Sequence, residues 1–234
     1  MSPATGRTER AGMDAAATFR SAVSDLEAGM DQQRQARREI VLDNQRPPRK
    51  LAPYAAAIGA VVHELVPGGS ARPVVADDAD TEIGWGSFVL LYDPAGQAGW
   101  AGPFRVIAYI RAELDPEIAA DPLIGQVGWS WLTEALDTRT NGYRQVSGTV
   151  TRVVTEGFGA KQNQPVTTEF ELRASWSPAA GPTAQPGAPR PDGAPQDLDG
   201  HIAAWCDALG AACGLPPLPA GVSALRPPRS RRRP

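Results

Sequence analysis

FRVIAYIRAEL, residues 104–114, and VTTEFELRASW, residues 166–176, alternate in character with a period of two. Successive side chains of a β-strand point to opposite faces of its sheet, so each stretch predicts a half-buried strand. The predicted core faces are Phe104, Val106, Ala108, Ile110, Ala112 and Leu114, and Val166, Thr168, Phe170, Leu172, Ala174 and Trp176. The opposite faces are Arg105, Ile107, Tyr109, Arg111 and Glu113, and Thr167, Glu169, Glu171, Arg173 and Ser175.

Further strands are predicted before and between these two stretches. Residues 143–156 are rich in Val and Thr and form a hairpin with 166–176 through a turn. WGSFVLLY at residues 85–92 is typical of a buried strand and ends at a turn sequence. A short strand is predicted over residues 39–43. The spacing of apolar residues in 51–65 fits both a helix and an alternating strand.

Three helices are predicted from apolar spacing and capping residues. The first covers residues 15–28 after the N-cap Asp14, and the last follows Asp197 or Asp199 and ends at Gly214. The second begins with Asp121 and Pro122 and runs to about residue 137. Its predicted core stripe is Leu123, Ile124, Val127, Trp131 and Ala135, with Trp129 nearly opposite.

The order of these elements predicts an α+β fold. Short links between strands favour antiparallel neighbours, because parallel strands need long crossovers. We therefore expect a mainly antiparallel sheet with helices packed on one face. A single domain is expected over residues 14–217, with a variable loop at 66–84 and a disordered Pro/Ala-rich linker at 177–196. Residues 1–13 and the Arg-rich tail at 218–234 are expected to be disordered.

Charge and composition limit the classes of function. Removing the five arginines of residues 226–234 from the formal net charge of −3 leaves −8 on the rest of the chain. An acidic body argues against a broad nucleic-acid-binding face. No apolar run approaches the roughly 18 residues of a membrane span, and residues 1–17 lack a signal-peptide apolar region. Cys206 and Cys213 lie about 10 Å apart on a helix, beyond disulfide reach, which favours a cytoplasmic protein.

Several ordered blocks of the sequence are similar to one known family. The blocks are RPP at 46–48 with LAPY at 51–54, LLYDPAG at 90–96, RAEL at 111–114, ADPL at 120–123, WSWL at 129–132, GTVT at 148–151, RASW at 173–176, and His201 with Trp205-Cys206. Over about residues 19–217 they resemble an actinobacterial family known as domain of unknown function 3000. The resemblance implies a strand rather than a helix at 54–63, and it implies no established activity.

The sequence offers no complete catalytic or metal-binding set. Its two histidines are His63 and His201, and no Gly-x-Ser-x-Gly elbow occurs. Cys206 lies five positions from His201 on a helix, so the two side chains diverge. Together with Cys213 they lack the close-paired spacing of zinc ligands. We therefore expect no metal and no cofactor, and catalysis is disfavoured.

The polar faces of the two alternating strands form the candidate binding surface. Arg111 and Glu113 of one strand and Arg173 of the other carry charge, and Trp129 or Trp100 would add an aromatic anchor if it overlooked that face. Glu113 is expected to pair with Arg111 or Arg173. A solvated face with ordinary cross-strand ion pairs is the alternative. The candidate binding residues are Arg111, Glu113, Trp129, Arg173 and His201.

Three functional hypotheses follow. The leading one is a non-catalytic binding or adaptor domain that meets a protein partner through the charged and aromatic sheet face. The second is an RNA-associated accessory factor that uses the tail arginines through counterion release. The third is a small-molecule enzyme, which needs a pocket that gathers Arg111, Glu113, Arg173 and His201. The tail arginines are Arg226, Arg229, Arg231, Arg232 and Arg233.

Overall fold

The computed structural model describes the backbone of residues 3–64, 82–179, 195 and 197–218, and the side chains from residue 13 onward. Within these ranges the helices are α1 (Pro3–Ala36), α2 (Pro116–Ala119), α3 (Ile124–Arg139) and α4 (Leu198–Ala212). The strands are β1 (Ile40–Gln45), β2 (Tyr54–His63), β3 (Glu82–Tyr92), β4 (Phe104–Glu113), β5 (Tyr143–Thr155) and β6 (Thr167–Pro178). A turn of 3₁₀-helix, Gly159–Lys161, lies between β5 and β6.

The six strands form one sheet in the order β1-β2-β3-β4-β6-β5, and every neighbouring pair is antiparallel. The two alternating stretches are β4 and β6, which pair with each other. Helices pack on one face of this sheet, here called the inner face, so the predicted α+β fold class is confirmed. The ambiguous segment at 54–63 is β2, which pairs with both β1 and β3, so the strand prediction is also confirmed.

The inner face is apolar, as the alternation predicts. Phe170 and Leu172 are 0% and 1% exposed. Helix α4 packs against this face and also contacts α1 and α3, so apolar residues are buried on nearly all of its sides. Its Trp205 Nε1 donates a hydrogen bond to the carbonyl oxygen of Tyr109 in β4, at 3.3 Å. Burial of each such large side chain stabilises the fold by roughly 1.5–3 kcal/mol.

Helix α1 is longer than the predicted segment 15–28 at both ends. It begins at Pro3, within the stretch expected to be disordered, and ends at Ala36. Its last turns are polar, but Arg34 donates hydrogen bonds to the carbonyl oxygen of Leu42 at 2.7 Å and to Asp31 at 2.9 Å. The bond to Leu42 ties the end of the helix to β1, and the bond to Asp31 supports the last turns of the helix itself.

A buried ion-pair cluster joins three helices. Arg37, which follows α1 and is 2% exposed, donates to Asp207 of α4 at 2.7 Å and to Glu39 at 3.2 Å. The second carboxylate oxygen of Asp207 accepts a bond from Arg139 of α3 at 2.7 Å. Burying a guanidinium is costly unless carboxylates compensate its charge, and here two of them do.

Helix α3 buries a stripe that overlaps the predicted one only in part. Ile124 is buried and Trp131 and Ala135 pack against the core, as predicted. Leu123 and Val127, both expected in the core, are 53% and 37% exposed. A β-carbon at position 128 would collide with the ring of Phe170, so only glycine allows this close approach to the sheet. The contact rotates the helix relative to its apolar pattern. The buried stripe is Ile124, Gly128, Leu132 and Leu136.

Aspartates and a glycine shape the ends of three helices. Asp115 caps α2 by accepting a bond from the amide of Glu117 at 2.8 Å. Gly214, with φ of +71°, follows the end of α4 as predicted. Asp121 forms a turn before α3 and accepts a bond from the amide of Leu123, so the helix begins later than expected.

Strand β6 continues through Pro178, which is two residues into the predicted linker at 177–196. The rest of that linker, apart from residues 179 and 195, lies outside the described residues. Most of the loop predicted at 66–84 and the tail from residue 219 also lie outside them.

Candidate binding site on the open sheet face

The sheet face opposite the helices, here called the open face, carries the polar residues of the alternation. Residues directly opposite each other on neighbouring strands share a face. Tyr109 lies opposite Arg173, and Arg111 lies opposite Glu171. The sides predicted for β4 and β6 are therefore confirmed, because Arg111 and Arg173 lie on the open face whereas Phe170 lies under the helices.

A row of aromatic and cationic groups crosses three strands of the open face. The rings of Trp85 in β3 and Tyr109 in β4 have centroids 4.8 Å apart. The guanidinium carbon of Arg173 in β6 lies 5.1 Å from the centroid of Tyr109. Cation–π contacts of this kind are worth about 0.5–1 kcal/mol at exposed sites. The row fixes the orientation of Arg173 and places its charge at the surface.

Two ion pairs lie on the same face. Arg111 bonds to Glu169, and Arg173 bonds to Glu171 at 3.0 Å. The hydrogen bond from Arg173 lowers the pKa of Glu171, and the hydrogen bond to Glu169 raises the pKa of Arg111. The expected pairing of Glu113 with Arg111 or Arg173 is wrong. Glu113 lies opposite another acid, Glu169, and Arg111 reaches that acid diagonally.

The loop at residues 93–103 folds over one end of the open face. Gln97 Nε2 donates to the carbonyl oxygen of Leu51 at 3.0 Å and to Asp93 at 3.1 Å. The amide of Ala101 donates to the hydroxyl of Ser177 at 3.1 Å. Trp100 packs beside a small apolar cluster on this face. These bonds hold the loop as a fixed wall above the strands.

A groove of about 570 Å³ lies between this wall and the strands. Residues 97–100 line one side together with Leu51. Strands β4 and β6 contribute Arg105, Ile107, Arg173 and Ser175, and the edge strand β5 contributes Ser147 and Thr149. Its size falls within the range of small-ligand sites. The groove therefore combines an aromatic wall, hydroxyl groups and two guanidinium groups.

Arg105 is the buried cation of the groove, at 8% exposed. Its Nη2 donates to the hydroxyl of Ser175 at 2.7 Å, and its Nη1 donates to the carbonyl oxygen of Gln145 at 3.1 Å. That carbonyl belongs to a bulge in β5, where Gln145 and Val146 have no partner in the β6 register. Burial lowers the pKa of Arg105. Arg105 forms no ion pair with any described residue.

The five predicted site residues do not come together. Arg111, Glu113 and Arg173 share the open face, and of these Arg173 lines the groove. Trp129 packs from α3 onto the inner face, where its Cζ3 would lie 2.7 Å from a β-carbon added at Gly148. Of the two tryptophans considered as an anchor, Trp100 is therefore the one that lies at the open face.

His201 lies in the core and not at the groove. It is fully buried, and its Nδ1 accepts a hydrogen bond from Trp176 Nε1 at 3.1 Å. Burial lowers the pKa of His201 to about 4, so the ring is neutral at pH 7. The cavity that the enzyme hypothesis requires, with His201 beside Arg111, Glu113 and Arg173, is not formed.

The thiols and carboxylates of the described residues do not form a reactive cluster. Burial raises the pKa of Cys206, and it raises the pKa of Cys213 to about 12. Both cysteines are free, as predicted. No group of three or more metal-ligating side chains occurs in the described part of the chain. Among the described helices, none combines the length and apolarity that a bilayer span requires.

Sequence reasoning missed Arg105 and the hydroxyl groups of Ser147, Thr149 and Ser175 as site residues. The alternation places Arg105 and Ser175 on the open face, which is a usable signal. Nothing local shows that the loop at 93–103 closes over them and buries the guanidinium.

Comparison with known proteins gives a family but no activity. A family model described as "Protein of unknown function (DUF3000)" matches residues 15–223. No curated protein and no solved structure matches the chain.

Proposed function

The chain belongs to this DUF3000 family, and because the family description assigns no activity, we propose from geometry that it is a non-catalytic binding or adaptor domain. The observation that carries the proposal is the groove of the open face, with Trp100 on its wall and Arg173 at its rim. We further propose that the protein acts in the cytoplasm of an actinobacterium.

The residue types around the groove support a protein partner. Trp, Tyr and Arg are enriched among the residues that contribute most binding energy at protein interfaces. Here Trp85, Tyr109 and Arg173 form a row beside the groove, and Trp100 stands on its wall. The row is held by contacts within the sheet, so little side-chain entropy is lost when a partner docks.

The absence of reactive groups at the groove favours binding over catalysis. The groove lining includes guanidinium, hydroxyl, amide and indole groups, and no described histidine, cysteine or carboxylate. A general acid or base would need such a group within hydrogen-bond reach of the reacting atoms. The described lining therefore suits recognition of a ligand more than proton transfer.

The test is affinity capture from actinobacterial lysate with the full-length chain as bait. Trp100→Ala combined with Arg173→Ala is compared with Arg38→Ala, whose side chain is exposed in the turn between α1 and β1. We expect a protein that is captured by wild type and by Arg38→Ala, and that is lost with the double variant. Thermal unfolding of each bait confirms that it is folded.

Equal capture of the same proteins by all three baits would place the partner elsewhere on the molecule and contradict the proposal. Capture of no specific protein by wild type would contradict it as well.

The Arg-rich tail supports a second candidate, an RNA-associated accessory factor. Residues 226–234 hold five arginines and no acid. These residues lie outside the described part of the chain. The support is therefore the charge pattern of the sequence alone.

A further inference from the structure

We propose that the groove binds a carboxylate-bearing segment of the partner protein, with the carboxylate at Arg105 and a neighbouring apolar side chain against Trp100. This inference rests on the proposed function and names the chemistry of the partner.

Two arginines are buried among the described residues, and their positive charges are compensated differently. Arg37, 2% exposed, contacts the carboxylates of Glu39 and Asp207. Arg105, 8% exposed, is bonded to two serine hydroxyls and one carbonyl oxygen. A buried guanidinium without an anion carries a desolvation cost that neutral acceptors offset only in part. An anion is therefore the ligand feature that this position favours most.

The groove is the side from which an anion can approach. Arg105 is part of its lining, together with the hydroxyl-bearing residues Ser147, Thr149 and Ser175. Hydroxyl groups donate to carboxylate oxygens, and an arginine can meet both oxygens of a carboxylate at once. The groove thus offers several donors around one cation.

The charge of the groove matches a monoanion. Of the two guanidinium groups that line it, Arg173 is already paired with Glu171. Arg105 leaves one positive charge without an acidic partner among the described residues. A carboxylate carries a single negative charge at pH 7, whereas a phosphate monoester carries about −1.5 to −2. A carboxylate is therefore the better match.

Part of the groove lining is apolar. Leu51, Leu91, Trp100 and Ile107 line the same groove as Arg105. An apolar side chain next to the bound acid would bury these surfaces, at about 25 cal/mol for each Å² removed from water. A groove of about 570 Å³ accommodates a short segment of this kind. The expected partner motif is an Asp, a Glu or a chain-terminal carboxylate beside an aromatic or large aliphatic residue.

The test is NMR titration of the full-length chain with small probes of the motif. The probes are N-acetyl-phenylalanine, its neutral amide, acetate and inorganic phosphate. The readout is the indole N–H resonance of Trp100, identified with Trp100→Phe. We expect N-acetyl-phenylalanine to bind more tightly than acetate or phosphate, and at least about tenfold more tightly than the amide. Added salt should weaken its binding.

Variants separate the contribution of Arg105 from that of the rest of the groove. Arg105→Gln should weaken N-acetyl-phenylalanine at least about tenfold, and Arg38→Gln should leave its binding unchanged. Arg105→Lys keeps the charge but loses the two-pronged geometry, so it should retain part of the affinity. This variant keeps the test informative if Arg105→Gln does not fold.

Three outcomes would overturn the inference: equal binding of acid and amide, tighter binding of phosphate than of any carboxylate, or no binding of any probe to wild type. The two experiments together distinguish failure of the carboxylate site from failure of the proposed function. If the probe binds at Arg105 but the groove variants do not affect capture from lysate, the anion site is supported and the protein partner at the groove is contradicted. If instead a protein is captured in a groove-dependent way but no probe binds, the proposed function is retained and the carboxylate site is contradicted.

Discussion

At the scale of single residues, His201 shows how burial decides the role of a titratable group. Its Nδ1 accepts the hydrogen bond from Trp176, so any proton on the neutral ring lies on Nε2. That second nitrogen is buried, lies 3.9 Å from Asp197, and has no hydrogen-bond partner among the described residues. Protonation at Nδ1 would break the bond to Trp176 and place a charge in the core. The His201 side chain therefore stabilises the fold only in its neutral form.

We predict that His201 makes the fold acid-sensitive. Its folded-state pKa of about 4 lies below the ordinary value of 6.5, so its contribution is complete above pH 6.5 and is lost as the pH falls toward 4. A difference of this size corresponds to about 3 kcal/mol. Urea unfolding at pH values between 7.5 and 4.5 measures it. The loss of stability should be smaller for His201→Gln than for wild type.

Arg38→Gln provides the control, because it changes an exposed side chain in the turn between α1 and β1. That variant should lose as much stability on acidification as wild type. Parallel curves of stability against pH for wild type and His201→Gln would contradict the assigned role.

At the scale of elements, strands were predicted more accurately than helices. The residues on the inner and open faces of β4 and β6 follow from the period-two alternation, because a strand has only two faces. The orientation of α3 depends on where Gly128 meets Phe170, a residue that is distant in the sequence. A helix can rotate to accept such a contact, so its apolar pattern alone predicted the buried stripe only in part. For β2 the spacing fitted two structures, and the family resemblance supplied the preference for a strand.

Two glycines of α3 allow a matched test of this packing. A β-carbon at Gly128 would collide with Phe170, whereas one at Gly125 has no heavy atom within 4 Å. We predict that Gly128→Ala lowers the free energy of unfolding by about 1–3 kcal/mol, through overpacking. Gly125→Ala should raise it by up to about 1 kcal/mol, because alanine favours the helix. Chemical denaturation of both variants measures the difference, and equal effects would show that α3 does not rest on the sheet at Gly128.

At the scale of the whole molecule, the groove is built from segments that are far apart in the chain. Leu51, the loop at 93–103, and strands β4, β5 and β6 each contribute to it. Period-two patterns predicted which side of the sheet is polar, and hence where a site could lie. They could not predict the burial of Arg105, because the covering loop and the bulge at Gln145 are long-range features. For the same reason Trp129 and His201 were assigned to the open face, from which the sheet separates them.

The tail predicts a salt-dependent interaction that belongs to the whole chain. If its five arginines contact phosphates of single-stranded RNA, affinity should fall about a hundredfold between about 50 and 200 mM salt. The measurement is fluorescence anisotropy with a poly(U) RNA. A chain that ends at Leu225 should lose the binding, since the remaining body is acidic. Equal, salt-insensitive binding of both chains would exclude the tail as an RNA-binding element.

The hydroxyl of Ser177 links the loop at 93–103 to the strands beneath it. It accepts the bond from Ala101 and lies 3.5 Å from Nη1 of Arg105. A lid that had to close on its ligand would lose conformational freedom at each encounter, which slows association. Here that freedom is already lost when the chain folds. The groove is thus preformed, and we expect the rate of ligand binding to be limited by diffusion and orientation rather than by loop closure.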